Sequence, residues 1–219
     1  MVINLGEKNS IFNQFLSEIR SQEIQKDSMR FRRNMERLGE IFAYEISKKL
    51  DYEEKDVVSP LGISHMKLLK HQPILATIMR AGLPLHQGLL NFFDHSDCAF
   101  VSAYRRHHKN GKFDIELEYI SSPILDDKTL IIADPMLASG ASMAITYKEM
   151  LQFGKPKHTH IVVAIASIEG ITHLKRTIGT KDITLWTGAI DDEMTAQSYI
   201  VPGLGDAGDL AYGSKLELD

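Results

Sequence analysis

The stretch Leu130 to Met143, L-I-I-A-D-P-M-L-A-S-G-A-S-M, combines an acid, hydroxyls and small residues at a spacing suited to chemistry. Leu130, Ile131, Ile132 and Ala133 form a short apolar run that fits a buried strand, and the run stops at Asp134. Small residues follow (Ala138, Ser139, Gly140, Ala141, Ser142), and then a helical pattern begins. Strand, acid, small-residue turn and helix start together present backbone N–H groups to an anion, and the helix start adds partial positive charge. The segment is expected to cradle a phosphate.

Two arginines stand at similar places. The apolar run Ile74 to Met79 ends at Arg80-Ala81-Gly82, and a helical pattern follows over Leu83 to Phe93, with Pro84 tolerated in its first turn. The run Cys98 to Tyr104 ends at Arg105-Arg106-His107-His108-Lys109, before Asn110-Gly111, a strong hairpin signal. Phe113, Ile115, Leu117 and Tyr119 alternate with acids on the return strand. A half-exposed β-flap is therefore expected over 104–120. Its basic tip fits a solvated turn and a reach over an anionic ligand equally well; Arg105 lies nearest the body.

The tail from Tyr199 to Gly213 reads Y-I-V-P-G-L-G-D-A-G-D-L-A-Y-G. Its glycines and Pro202 argue against a regular helix or strand. Yet Tyr199, Ile200, Val201 and Leu204 are apolar, which a solvated tail would not carry. An ordered loop is expected, one whose main-chain groups can read the edge of a small planar ring.

The elements that must position these groups follow from periodicity. Ile11, Phe15 and Ile19 recur at helical spacing. Ser28 could cap a longer helix in which Phe31, Met35, Leu38, Phe42 and Ile46 mark one face. Its arginines and acids read as a solvated face, with a dimer contact as the sharper alternative. Residues 51–72 read as polar and irregular. Helix continues over Ala144 to Phe153 and ends at Gly154; His160 to Ile168 reads as strand, Glu169 to Ile178 as helix and Ile183 to Ile190 as strand. Such alternation argues for an α/β fold with a central, mostly parallel sheet flanked by helices. Ligands then bind beyond the carboxyl ends of the strands, where Arg80, Arg105 and Asp134 all fall.

Composition narrows the field. The chain has 219 residues, long enough for one good-sized core, and its 43% hydrophobic and 25% charged content suits a soluble globular protein. A net charge of −4 without a basic run gives no support to nucleic-acid binding. Cys98 is the only cysteine, so neither an intramolecular disulfide nor a cysteine-built metal site is expected. His158 and His160 share a strand face without an acidic or cysteine partner, so a structural role is favoured over zinc. No run of about 18 apolar residues predicts a membrane span. Met1 to Glu7 lacks a leader pattern, so the expected compartment is the cytoplasm. Ser139 and Ser142 lack the G-x-S-x-G setting of a hydrolase nucleophile, and neither a P-loop nor a dinucleotide fingerprint is present.

Four segments in order resemble the uracil phosphoribosyltransferases. D-P-M-L-A-S-G-A-S at 134–142 resembles that family's loop for phosphoribosyl diphosphate (PRPP), commonly D-P-M-L-A-T-G-G-S. Y-I-V-P-G-L-G-D-A-G-D at 199–209 resembles its uracil-binding loop, and it is more specific than the PRPP loop. I-M-R-A-G-L at 78–83 and Y-R at 104–105 resemble its other signatures. The resemblance spans essentially the whole chain. It implies a type I phosphoribosyltransferase fold as one domain over 1–219, with a helical arm (1–50), a β-flap (104–120) and a uracil-binding loop (199–213).

The resemblance also implies a reaction: uracil and PRPP give UMP and diphosphate, in pyrimidine salvage. Arg80 and Arg105 would contact the diphosphate. Asp134, Pro135, Met136, Leu137, Ala138, Ser139, Gly140, Ala141 and Ser142 would hold the ribose and its 5-phosphate, with Asp134 facing the ribose hydroxyls. Ile200, Gly205, Asp206 and Ala207 would bind uracil, and Asp206 would also reach PRPP. Arg80, Arg105 and Asp206 are the residues expected to carry catalysis. Mg²⁺ is expected to arrive with PRPP rather than in a protein cage. A homodimer or higher homo-oligomer is expected, while GTP activation finds no support in the sequence. Two alternatives use the same scaffold: an RNA-binding pyrimidine attenuator, which the charge disfavours, and a transferase for another base, which the tail disfavours. Three departures stand out. Ala141 replaces a common glycine, at a cost of roughly 1 kcal/mol if that position needs positive φ. Pro84 replaces another glycine, and Arg106 to Lys109 replaces an acidic turn.

Overall fold

The computed structural model describes residues 1–107 and 113–214, without the side chains of 103–107 and 113–117. In chain order the elements are β1 (Val2–Asn4), α1 (Ile11–Arg20), α2 (Ser28–Ser47), β2 (Tyr52–Ser59), β3 (Gly62–Leu69), β4 (Ile74–Met79) and α3 (Leu83–Leu90). Then come β5 (Cys98–His107), β6 (Phe113–Ser121), β7 (Thr129–Ala133), β8 (Met136–Leu137), α4 (Ala141–Met150), β9 (His158–Ser167) and α5 (Ile168–Ile178). β10 (Ile183–Asp191), β11 (Glu193–Met194), β12 (Ile200–Val201) and α6 (Ala207–Tyr212) close the chain.

The main sheet runs β1-β10-β9-β7-β4-β5-β6, with β8 also paired to β9. Every pairing is parallel except β5 with β6. Its central strands are apolar almost throughout because helices cover both faces. Leu75, Ile131, Ala133, Val162, Ala164 and Trp186 pack against α1, α2, α3 and α6. Ile74, Ile132, Ile161, Val163 and Leu185 pack against α4 and α5. The expected mostly parallel α/β sheet is the one observed. β5 pairs with β4 as far as Ser102, and its last residues pair with β6. The Asn110-Gly111 turn lies outside the described residues.

Local expectations divide. Phe31, Met35, Leu38, Phe42 and Ile46 of α2 are all buried, as their spacing predicts. On α1, Ile19 is buried and Phe15 packs against the core as expected, while Phe12 and Leu16 are also buried and Ile11 points outward. Asp27 rather than Ser28 caps α2, its carboxylate accepting from the Arg30 N–H. Helices α1 and α2 are joined by Glu18, which accepts from Arg30 at 2.7 and 2.9 Å and from Asn34 at 2.7 Å. These partners, Arg30 first, hold its pKa down to about 2. Residues 51–72 are not irregular: β2 and β3 form an antiparallel hairpin apart from the main sheet. Its side chains are mixed on both faces, so it lacks the alternation that marks a half-buried strand. Among the described residues no helix is long and apolar enough to cross a membrane.

Candidate active site

A cleft of about 690 Å³ opens beyond the carboxyl ends of β4, β5 and β7. Asp134 follows β7 and lines it, with its backbone N–H bonded to Val162 O at 3.1 Å. The next residues are stitched to β9. Pro135 O accepts from the N–H groups of Ala164 and Ile165 at 3.0 and 3.1 Å, and the Ser167 hydroxyl donates to Ala138 O at 2.6 Å. Gly140 then turns the chain into α4 with φ of +76°, and the Ser139 hydroxyl accepts from the Ala141 N–H at 3.4 Å. Ala138, Ser139, Gly140 and Ser142 line the cleft at this point. A rigid small-residue turn opening at a helix N-terminus is suited to an anion. Ala141 is the first residue of α4 and is not among the positive-φ residues. The strain anticipated for alanine therefore does not arise; Gly140 carries the left-handed conformation.

Arg80 enters from the second wall. It follows β4, and the Met79–Arg80 peptide is cis. Its guanidinium lies 3.4 Å from an Asp209 carboxylate oxygen and 3.4 Å from Gly213 O. Pro84 sits buried in the first turn of α3, as its fixed φ allows. Arg105 is placed on β5, opposite Ile115 of β6, but its side chain is outside the described residues.

The tail forms the third wall, and here one expectation is corrected. Residues 199–213 do contain regular structure: Ile200–Val201 pairs with Glu193–Met194, and Ala207–Tyr212 is a short helix. Asp206 makes this possible, because its carboxylate caps α6 by accepting from the Asp209 N–H at 3.0 Å. Arg32 of α2 donates to Ala211 O at 2.6 Å and lies over the Tyr212 ring. Ile200 and Ala207 are 4% and 3% exposed. Asp206 and Ala207 line the cleft, whereas Ile200, Gly205 and Ala141 stand just outside its lining.

A family model described as uracil phosphoribosyltransferase matches residues 7–214. The chain belongs to the uracil phosphoribosyltransferase family. A Porphyromonas gingivalis protein named uracil phosphoribosyltransferase is 52% identical over 215 residues, 98% of this chain and 99% of the relative. One from Thermococcus gammatolerans is 36% identical over 214 residues, 96% of this chain and 93% of the relative. A solved Aquifex aeolicus protein superposes with a TM-score of 0.86 at 27% identity, covering 99% of this chain and 100% of that one. Adenine phosphoribosyl transferase from Trypanosoma brucei shares the fold, with a TM-score of 0.56 at 9% identity over 86% of this chain and 83% of that one.

Within this uracil phosphoribosyltransferase fold the cleft holds residues that pattern reading passed over. Ser102 lines it from β5, beside Met79 in register. Gln197, Ser198 and Tyr199 line it from the segment before β12, and Asp209 from α6. Asp209 and Tyr199 lay inside the quoted tail pattern; Gln197 and Ser198 sit in an irregular turn that has no periodic signal. Among the described residues, Asp134, Asp206 and Asp209 are the acids lining the cleft. No three metal-binding side chains cluster among the described residues. His158 and His160 are engaged structurally. His158 Nε2 lies 3.0 Å from the Thr184 hydroxyl, and His160 Nδ1 accepts from the Trp186 N–H at 3.0 Å. Cys98 is half-buried, and burial raises its thiol pKa.

Proposed function

We propose that this chain transfers the 5-phosphoribosyl group of PRPP to N1 of uracil, giving UMP and diphosphate. The carrying observation is that the small-residue turn 138–142 and the Asp206–Ala207 corner line one cleft. The donor's phosphate and the acceptor's ring therefore have adjoining sites.

In this reading the turn from Asp134 to Ser142 holds the ribose 5-phosphate, and Asp134 accepts from the ribose hydroxyls. Arg80 and Arg105 stabilise charge on the departing diphosphate, an electrostatic role. Asp206 and Asp209, which line the cleft, would face Mg²⁺ arriving with PRPP, and that ion would supply further positive charge to the leaving group. The bond from C1 to the diphosphate oxygen breaks, the C1–N1 bond forms, and the N1 proton of uracil passes to the departing diphosphate or to water. Among the described residues no side chain lining the cleft is an evident general base, and in this reading positioning of the two substrates supplies most of the acceleration. Main-chain groups around Ile200 and Gly205–Ala207 read uracil N3–H and O4. Cytosine reverses that donor–acceptor pattern and would leave buried groups unpaired, at about 1–3 kcal/mol each. The work is assigned to the cytoplasm, as a salvage reaction.

A homo-oligomer belongs to the same proposal. The sharper sequence reading gave a dimer contact to the α2 arm, whose apolar face is filled within the chain, which leaves its charged face for such a contact. The β2–β3 hairpin exposes Val58 (84%), Leu61 (100%), Ile63 and Met66. A two-stranded hairpin is marginal alone in water, and a second copy would cover it.

The direct test incubates the protein with uracil, PRPP and Mg²⁺ and separates the products. UMP and diphosphate should appear in equal amounts. Absence of UMP would refute the proposal.

A further inference from the structure

Outside the cleft, one polar cluster links α1 to the base loop. Arg20, in the last turn of α1, and Asp191, at the end of β10, form a two-pronged pair with both N···O distances at 2.8 Å. Asp191 is 7% exposed and Arg20 22%. Each partner has one further bond, and both of these go to Gly203. Arg20 donates to Gly203 O at 2.9 Å, and Asp191 accepts from the Gly203 N–H at 2.9 Å. Gln25, its amide nitrogen turned inward, adds donors to Ile19 O at 3.1 Å and to Leu204 O at 2.8 Å.

We infer that the Arg20–Asp191 pair is a positioning element for the base-binding loop, setting affinity for uracil without touching it. Gly203 has φ of +54° and Gly205 +90°, so the loop they flank has unusual freedom when unheld. A Cβ at Gly203 would strike Ile200 O, so that freedom cannot be removed by a larger residue there. The chain fixes the peptide groups instead. The guanidinium and carboxylate neutralise each other, and each still has capacity for a further bond, one to each side of the same glycine. Gly205, Asp206 and Ala207 begin two residues later. A loop held in its binding shape before uracil arrives gives up less entropy on binding. Lysine could not serve in place of Arg20, because its single ammonium cannot span both carboxylate oxygens and Gly203 O in one plane.

The alternative is a plain staple between α1 and β10 that stabilises the fold alone. Three measurements on the full chain separate them: the KM for each substrate, the thermal midpoint, and hydrogen exchange of the Tyr199–Asp206 amides. With Arg20→Met, the KM for uracil should rise about tenfold or more while that for PRPP stays within about twofold. Exchange in the loop should speed up while exchange in β9 does not. Arg20→Lys should fall between Arg20→Met and the wild type, and it carries the same comparison if Arg20→Met does not fold. An unchanged uracil KM, or both KM values rising together with loop exchange unaltered, would overturn the inference. The link to uracil rests on the transfer proposed above. Wild-type protein that fails to use uracil would defeat that proposal instead, and loop exchange alone would then judge the clamp.

Discussion

Asp206 has two duties in one carboxylate. It caps α6 through the Asp209 N–H, and it lines the cleft where the two substrates are expected to meet. Replacement by alanine removes both, so lost activity would not by itself assign a chemical role. Asparagine still caps a helix but carries no charge. Asp206→Asn is therefore expected to lower kcat at least tenfold with an unchanged thermal midpoint, while Asp206→Ala also loses about 1 kcal/mol of stability. Near-normal kcat in the asparagine variant would remove the carboxylate from the mechanism. At this scale the sequence was legible where a residue's type restricts its use. Asp134, the serines and Arg80 reach the cleft as their positions after apolar runs suggest. Arg20 and Asp191 were not legible: one ends a helix, the other a strand, and 171 residues separate them.

Elements were readable where burial imposes a period. The α2 stripe could be placed from its spacing, and β4, β7, β9 and β10 from continuous apolar runs, because burial on both faces of the sheet demands them. The β2–β3 hairpin was missed because little of it is buried within the chain, and a strand without a buried face has no alternation to show. Helix α6 was missed because glycine content outweighed its cap, although Asp206 and Gly213 bracket it as cap and terminator. The hairpin gives this scale its prediction. Leu61→Asp combined with Ile63→Asp should convert a dimer or larger assembly to a monomer in light scattering coupled to gel filtration. An unchanged mass would take the hairpin out of the interface.

Across the molecule, the cleft occupies one end of the sheet and a buried histidine sits at the other. His160 is sealed among β9, β10 and Trp186, and burial, then His158 beside it, pushes its pKa down to about 3. An unfolded chain protonates histidine near 6.5, so it binds the extra proton between those values and the folded chain does not. The resulting stability is complete above about pH 6.5 and declines as pH falls towards 3, by up to about 1.4 kcal/mol per unit. His160→Asn keeps an acceptor for Trp186 and cannot titrate. Urea midpoints at pH 7.5 and 5.5 should differ less in that variant than in wild type, with a residual slope from His86 and His158, both also lowered by burial. Equal slopes would contradict this assignment. The far end of the sheet thus supports the fold, while the near end holds the cleft proposed for transfer.

The account stands or falls on the base that this near end accepts. The most direct measurement gives the protein limiting PRPP with Mg²⁺ and an equimolar mixture of uracil, cytosine, hypoxanthine and orotate, then identifies the nucleotide formed. UMP as the dominant product is the predicted result. A dominant nucleotide of any other base, or none at all, would contradict it.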